Sequence, residues 1–205
     1  PYLAPPDPDQ IGGAYVRSDV ELSLVGSPGA APVDALLWAV NLDSEDPPTM
    51  VSTTGDGSFT LSIHAEVGDE LRIQSRTSDA RSVPVDAIVA DGVTLVPVER
   101  SPCLEISPPD ELVFDDHRVD SDQIQAVRIT NRCGSEASFG NLRLRRAAPS
   151  FELVSGPGLV IPDDASAELE VRFAPTTPGL HEEIFFIEVT SPVTERIPLT
   201  LTGVG

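Results

Sequence analysis

The sequence of 205 residues contains no lysine, so all of its positive charge comes from 13 arginines. Against them stand 33 aspartates and glutamates, and the formal net charge is −20 at pH 7. Both halves of the chain are acidic, which distinguishes it from a neutral domain with an acidic tail. Because such a charge repels phosphate backbones, nucleic-acid binding is excluded from the expected functions.

Cysteine is almost as scarce, with Cys103 and Cys133 as the only two. Two thiolates are too few for a structural zinc site, and no histidine lies near either one at zinc-finger spacing. The two cysteines can therefore form a disulfide, remain as two buried thiols or act as a redox pair. An antiparallel pairing of 103–114 with 122–133 places the two cysteines opposite each other, so we predict a disulfide and an oxidising compartment.

Long apolar runs, helical periodicity and catalytic motifs are also missing. The apolar run at 35–40 is too short to cross a membrane. Because Pro1 is not an initiator methionine and no leader pattern precedes the strands, we expect a mature or excised fragment. The sequence has no nucleophile elbow, no phosphate-cradling glycine loop and no zinc-protease motif, so we predict no enzymatic activity and no cofactor.

The sequence does contain a series of short segments in which apolar and polar residues alternate. These segments lie at 20–24, 59–64, 71–74, 127–130, 142–145, 169–173 and 197–202. Turn-forming clusters separate them, among them 26–29, 55–57 and 91–92. Regularly spaced strands of this kind are typical of Ig-like sandwiches. The predicted fold class is therefore all-β, with two tandem Ig-like β-sandwich domains.

A proline-bounded stretch at 96–102 marks the boundary between the two halves. The sequence predicts a proline-rich linker or arm at 1–12, one sandwich at 13–100 and a second sandwich at 101–205. Because the connection is short and stiffened by proline, we expect the sandwiches to meet in a defined interface.

Three stretches of the first half together form one sequence pattern: GAAPVDALL at 29–37, STTGDGSFTL at 52–61 and GDEL at 68–71. Through them, residues 29–74 resemble the carboxypeptidase regulatory-like (transthyretin-like) sandwich, although Asp34 stands where that family usually has glycine. In the middle stretch, Asp56 and Gly57 predict a hairpin turn with positive φ, and Phe59 is expected to fill the core beside it.

The second half carries LVF at 112–114, VRITN at 127–131, VRFAP at 171–175 and LTLTGVG at 199–205. With Phe151 and Gly179, these residues make 103–205 similar to an ASH (hydin-type) domain, related to major sperm protein folds. Asp115 departs from the glycine that the family often has after the phenylalanine. The resemblance implies a structural or interaction module with no catalytic residues, of the kind that bacteria place in extracellular or envelope-anchored proteins.

Two groups of side chains are candidates for metal binding. The acidic loop at 115–122 offers oxygen ligands for calcium but lacks the EF-hand order of acids and glycine, so we predict a solvated hairpin loop. The three histidines, His64, His117 and His181, do not converge in the sequence. We therefore predict no metal site.

Aromatic and arginine residues supply the remaining candidates. We predict that Trp38 packs inside its sandwich, with ligand stacking as the alternative. The arginine cluster at 143–146 is predicted to pair across strands with Glu168 or Glu170, with an anion-binding patch as the alternative. Residues 184–187 are all apolar, so either Phe185 or Phe186 is predicted to point away from the core towards the neighbouring domain or a partner.

Taken together, the sequence predicts a non-catalytic structural or protein-interaction segment of a secreted or envelope-attached bacterial protein. Its predicted partners are another protein or neighbouring domains of a larger one, and no membrane insertion is expected in this segment. Two alternatives remain: a carbohydrate- or calcium-dependent adhesive module, and accessory domains of a larger extracellular enzyme.

Overall fold

Strands supply nearly all the regular structure, as the alternation predicts. The computed structural model describes residues 2–15, 21–91, 94–156 and 160–205, so the predicted strand residue Val20 and turn residue Gly92 lie outside the described residues. Its contacts divide the chain into two compact units, Pro1–Glu99 and Arg100–Gly205.

The first unit is a β-sandwich. Its strands are β1 (Ile11–Tyr15), β2 (Glu21–Gly26), β3 (Leu36–Asn41), β4 (Thr49–Ser52), β5 (Phe59–His64), β6 (Glu70–Arg76), β7 (Val85–Val89) and β8 (Leu95–Pro97). One antiparallel sheet has the order β1-β2-β5, and the other has the order β4-β3-β6-β7-β8. The core lies between the two sheets because alternate residues of each strand face inward; it includes Leu22, Leu24, Leu37, Leu61, Leu71 and Ile73.

The sequence predicts a linker or arm at 1–12, but the second half of this segment is folded onto the first unit. Pro8–Gln10 form a single 3₁₀ turn, which the Asp7 carboxylate caps by accepting from the Asp9 backbone N–H at 3.1 Å. The next residue, Ile11, begins β1 and is buried in the core. Once this apolar side chain is buried, the segment belongs to the first unit, although its proline content is typical of a linker.

The turn between β4 and β5 has the positive φ that the sequence predicts, but the prediction of a hairpin is wrong, because β4 and β5 lie in different sheets and do not pair with each other. Gly57 has φ +81°, and a Cβ atom there would lie 2.2 Å from the Ala31 carbonyl oxygen, so only glycine fits without movement. Phe59 is buried in the core beside the turn. The sequence predicts a positive φ for the pair Asp56 and Gly57. Only Gly57 of the two has one.

The second unit is also a β-sandwich. Its strands are β9 (Leu104–Ser107), β10 (Glu111–Val113), β11 (Gln123–Asn131), β12 (Ala137–Leu144), β13 (Phe151–Ser155), β14 (Val160–Ile161), β15 (Ser166–Phe173), β16 (Leu180–Ser191) and β17 (Glu195–Val204). One sheet has the order β10-β17-β16-β12-β14 and the other β13-β15-β11-β9. Three phenylalanines, Phe114, Phe151 and Phe173, pack together in the core with ring centroids 5.1–5.9 Å apart.

The predicted pairing of 103–114 with 122–133 is only partly right. β9 pairs with β11, but Asn131 lies opposite Leu104, where the predicted register places it opposite Glu105. After Ser107 the chain changes sheets, and β10 pairs in parallel with β17. Prolines at 108 and 109 cannot donate backbone hydrogen bonds, which explains why the β9 ladder ends there.

Candidate interaction surfaces

Trp38 lies on the opposite side of its sheet from the position that we predicted. Its neighbours Leu37 and Ala39 belong to the core of the first unit, whereas Trp38 does not. The ring is only 2 % exposed, and the Arg76 guanidinium carbon lies 4.2 Å from its centroid. Because successive strand residues point to opposite faces, a core position for Leu37 directs Trp38 outward. The predicted burial of Trp38 is therefore confirmed, but its predicted orientation towards the core is not.

A buried polar network lies on the same outward face of β6. Arg72 and Asp86 form a bidentate pair, Nε to Oδ1 at 2.7 Å and Nη2 to Oδ2 at 2.9 Å, with side chains 3 % and 9 % exposed. Gln74 accepts from the Arg76 Nε at 2.8 Å and donates to the Ser82 carbonyl oxygen at 2.8 Å. Such a network fixes side-chain positions, because a buried polar group without a partner is costly.

The two adjacent phenylalanines of β16 point to opposite faces of their sheet. Phe185 belongs to the core of the second unit, and Phe186 lies on the other face of the strand. The guanidinium carbons of Arg143 and Arg196 lie 4.8 Å and 4.7 Å from the Phe186 centroid. The sequence alone does not place these arginines on Phe186, because Arg143 comes from β12 and Arg196 from β17. The partner-surface role remains a prediction for Phe186.

The arginine cluster at 143–146 forms ion pairs, but not with the predicted glutamates. Arg143 donates to Glu188 at 3.3 Å. Arg146 lies 2.7 Å and Arg145 3.6 Å from the carboxylate of Glu183, a buried residue of β16. The prediction of Glu168 or Glu170 as the partner is wrong because those residues lie in β15, which belongs to the other sheet.

The outward face of the β13-β15-β11-β9 sheet is instead covered by its own cross-strand pairs. Arg128 lies directly opposite Glu168 and bonds it at 2.8 Å. Thr130 and Ser166 are likewise opposite and 2.8 Å apart. Directly opposed pairs are the contacts that stabilise a sheet surface, and exposed ion pairs contribute only about 0–1 kcal/mol each. This face is therefore a solvated surface that carries its own cross-strand ion pairs.

Cys103 and Cys133 are joined by a disulfide. They lie just beyond the last β9–β11 pair, and the Arg132 N–H donates to the Cys103 carbonyl oxygen at 2.8 Å. The pairing that we predicted is present even though the register differs by one residue, because both cysteines lie in the turn regions next to the ladder.

The histidines occupy three separate places. In the acidic loop, the His117 Nε2 lies 2.9 Å from the Asp122 carbonyl oxygen. The His181 Nδ1 lies 3.0 Å from the Ser150 hydroxyl and its Nε2 lies 2.9 Å from the Thr177 carbonyl oxygen. The Ser150 contact has the spacing of a nucleophile and its base, but Ser150 is 6 % exposed.

His64 lies beside a cleft at the end of β5. The cleft holds about 340 Å³ and is lined by Glu21, Asn41, Asp46, Pro47, Thr49, Ser62, Ile63 and His64. The His64 Nδ1 lies 3.5 Å from the Asp46 carboxylate, and both side chains are more than half exposed. Sequence alternation placed His64 on the polar face of its strand, but it could not bring Asp46 next to it.

Within the part of the chain that the structure describes, no group of three or more His, Cys, Asp or Glu side chains has a metal-binding arrangement. None of the described residues forms a helix long and apolar enough to cross a membrane.

No protein-family model and no curated protein matches the chain. Among solved structures, it is similar to an ASH/PapD-like domain of human CEP192, with 12 % identity and a TM-score of 0.45 over 53 % of this chain and 90 % of that one. It is also similar to a Porphyromonas gingivalis protein of unknown function, with 11 % identity and a TM-score of 0.43, covering 100 % of this chain and 96 % of that one.

A further similarity is to the Vibrio cholerae VesB protease, with 8 % identity and a TM-score of 0.45 over 87 % of this chain. The chain spans only 65 % of that protease's length. Similarities at these identities and TM-scores say nothing about activity or partners.

Proposed function

We propose that this chain is a non-catalytic structural and protein-interaction segment of a secreted or envelope-attached bacterial protein. The observation that carries the proposal is the outer edge of β5. This strand ends the β1-β2-β5 sheet, and among the described residues no strand pairs with its second edge. An unpaired strand edge presents backbone donors and acceptors that a partner chain can bind.

The Ser150–His181 contact supports the non-catalytic part of the proposal. Catalysis by a serine needs a hydroxyl that is open to substrate, and Ser150 is only 6 % exposed, although it lines a cleft of about 420 Å³ together with His181. The imidazole of His181 also stacks edge-on against Phe173 of the core, at 5.7 Å between centroids. The pair therefore connects the start of β13 to β16, which is a structural role.

The disulfide supports the proposed location. Disulfides persist in secreted and envelope proteins and are rare in the reducing cytosol. The loop that Cys103 and Cys133 close has a sequence separation of 30 residues. A bond of this kind fits a protein exposed to an oxidising environment.

Photo-crosslinking in the bacterium that makes the protein tests the proposal. A photoreactive amino acid replaces the exposed Ser62 of β5 or, as a control, the exposed Ala126 on the ion-paired face. We expect a discrete protein adduct from position 62 and none from position 126. The absence of any adduct from position 62 and from further exposed positions overturns the interaction role. Hydrolysis of a simple ester that disappears in Ser150→Ala overturns the non-catalytic role.

A further inference from the structure

We propose that an extended polypeptide segment docks along the free edge of β5 and places a lysine or arginine side chain in the cleft beside Glu21 and Asp46. This inference rests on the proposed function and adds the chemistry of the partner.

The edge of β5 is suited to pairing with another strand. Its six residues pair with β2 without a register shift, and the buried side chains of Phe59, Leu61 and Ile63 hold it against the core. Its sequence, FTLSIH, contains no lysine or proline, and the ladder has no bulge; these are the devices by which proteins usually block an edge. An incoming strand therefore meets a regular backbone.

The cleft lies where this edge ends. The Asn41 amide donates to the His64 carbonyl oxygen at 2.9 Å, so the last acceptor of β5 is already occupied and strand pairing stops there. Beyond it, the hydroxyl of Thr49 is buried and has no hydrogen-bond partner among the described residues. A buried hydroxyl of this kind usually has a partner, which a polar group entering the cleft would provide.

The charge of the cleft selects a basic side chain. Glu21 lies opposite His64 in the β2–β5 ladder, and Asp46 lies 3.5 Å from the same imidazole. The described side chains that line the cleft include two carboxylates and no arginine. A second copy of this chain is a poor occupant, because it carries the same charge of −20 and no lysine.

A synthetic peptide is the probe. It is a short chain of alternating threonine and valine with one central arginine and a fluorophore, and its binding is measured by fluorescence anisotropy on the full chain. Two further peptides serve as comparisons: one has neutral citrulline instead of arginine, and the other has N-methylated backbone amides. We expect the arginine peptide to bind, the citrulline peptide to bind about fivefold to tenfold more weakly, and the N-methylated peptide not to bind.

Matched charge removals test the cleft itself. The double variant Glu21→Gln/Asp46→Asn should weaken binding of the arginine peptide by about fivefold to tenfold and leave the citrulline peptide unaffected. Glu66→Gln/Asp79→Asn removes the same charge from exposed positions of the same unit and should change binding by less than about twofold. Unchanged Trp38 fluorescence confirms that each variant folds.

The outcomes separate this inference from the proposed function. Equal binding of the arginine and citrulline peptides, equal effects of the two double variants, or no binding at about 1 mM protein overturns the inference. So does a chain that dimerises through β5, because the occupant is then a second copy. If protein adducts still form in cells, the proposed function survives such a result; if they do not, it fails as well.

Discussion

The guanidinium of Arg76 stacks on Trp38 at 4.2 Å, on the face of the sheet turned away from the core. The second unit repeats the arrangement, with Arg143 and Arg196 on Phe186. Each sandwich therefore has an outward aromatic ring that arginine covers. Because the chain has no lysine, its cations are all planar groups that can stack on a ring and bond a carboxylate at the same time.

Replacing Arg76 with methionine should destabilise the first unit by about 1–3 kcal/mol. The change keeps most of the apolar stem but removes the contact with Trp38 and the buried hydrogen bond to Gln74. Arg128→Met, at an exposed ion pair, should change stability by about 1 kcal/mol or less. Urea unfolding followed by circular dichroism gives both values. Equal losses in the two variants would contradict a buried stack, as would unaltered Trp38 emission in Arg76→Met.

Alternation in the sequence locates the strands but does not always tell which face is inside. In β5, apolar and polar residues alternate, and the inward side chains follow directly. In β3, Leu37 and Trp38 are both apolar, so the pattern fits either orientation. Whether Leu37 or Trp38 faces the core depends on which of the two packs against the opposite sheet, and that contact joins residues far apart in the sequence.

Burial on the outward face is also invisible in the sequence. The alternation in β6 correctly assigns Leu71 and Ile73 to the core face and Arg72 and Gln74 to the other face. Such a pattern predicts a strand with one face buried and the other exposed. In the structure, Arg72 is 2 % exposed and Gln74 is 3 % exposed. Their partners, Asp86 and Ser82, are brought close by the chain reversal into β7, which no local pattern reports.

Long-range pairing limits the prediction of ion pairs in the same way. The arginines at 143–146 and the glutamates at 168 and 170 have the right charges, but Arg143 lies in β12 and the other two arginines follow it, whereas the glutamates lie in β15 of the other sheet. Disulfide pairing is easier to predict because the sequence offers only two cysteines. There, a one-residue error in register still leaves the two residues close together.

Loss of the disulfide should destabilise the second unit by about 3–4 kcal/mol in the chain-entropy model, since the bond closes a loop with a sequence separation of 30. The double variant Cys103→Ser/Cys133→Ser tests this by urea unfolding. Intact mass gives a direct check: reduction of the unfolded wild type should add two hydrogens. Two alkylatable thiols before reduction would contradict the bond.

Two glycines of the turn between β4 and β5 form a matched pair for substitution. Gly57→Ala should destabilise the first unit by about 1–3 kcal/mol, because its φ is +81° and the new Cβ would meet the Ala31 carbonyl oxygen at 2.2 Å. Gly55→Ala has open space around it and should be nearly neutral. Thermal unfolding of the two variants measures the difference. A neutral Gly57→Ala would show that this turn adopts another conformation.

Asp56 should titrate well below an ordinary aspartate. The Thr54 hydroxyl donates to its carboxylate at 2.6 Å and the Ser58 backbone N–H at 3.0 Å; these bonds lower the pKa of Asp56 from 3.8 to about 2. Because the folded pKa lies below the unfolded one, the turn stabilises the fold above about pH 3.8. That contribution is lost as the pH falls through about 2.

Carbon-detected NMR of the Asp56 carboxyl group measures this pKa directly. Thr54→Val removes the strongest of the three hydrogen-bonding groups, so it should raise the pKa of Asp56 towards 3.8. Ser58→Ala retains the backbone N–H and removes only the weaker hydroxyl, so it should raise the pKa less. A midpoint near 3.8 in the wild-type chain would mean that the carboxylate does not hold these bonds in solution. In that case Gly57 alone, through its positive φ, would define the turn.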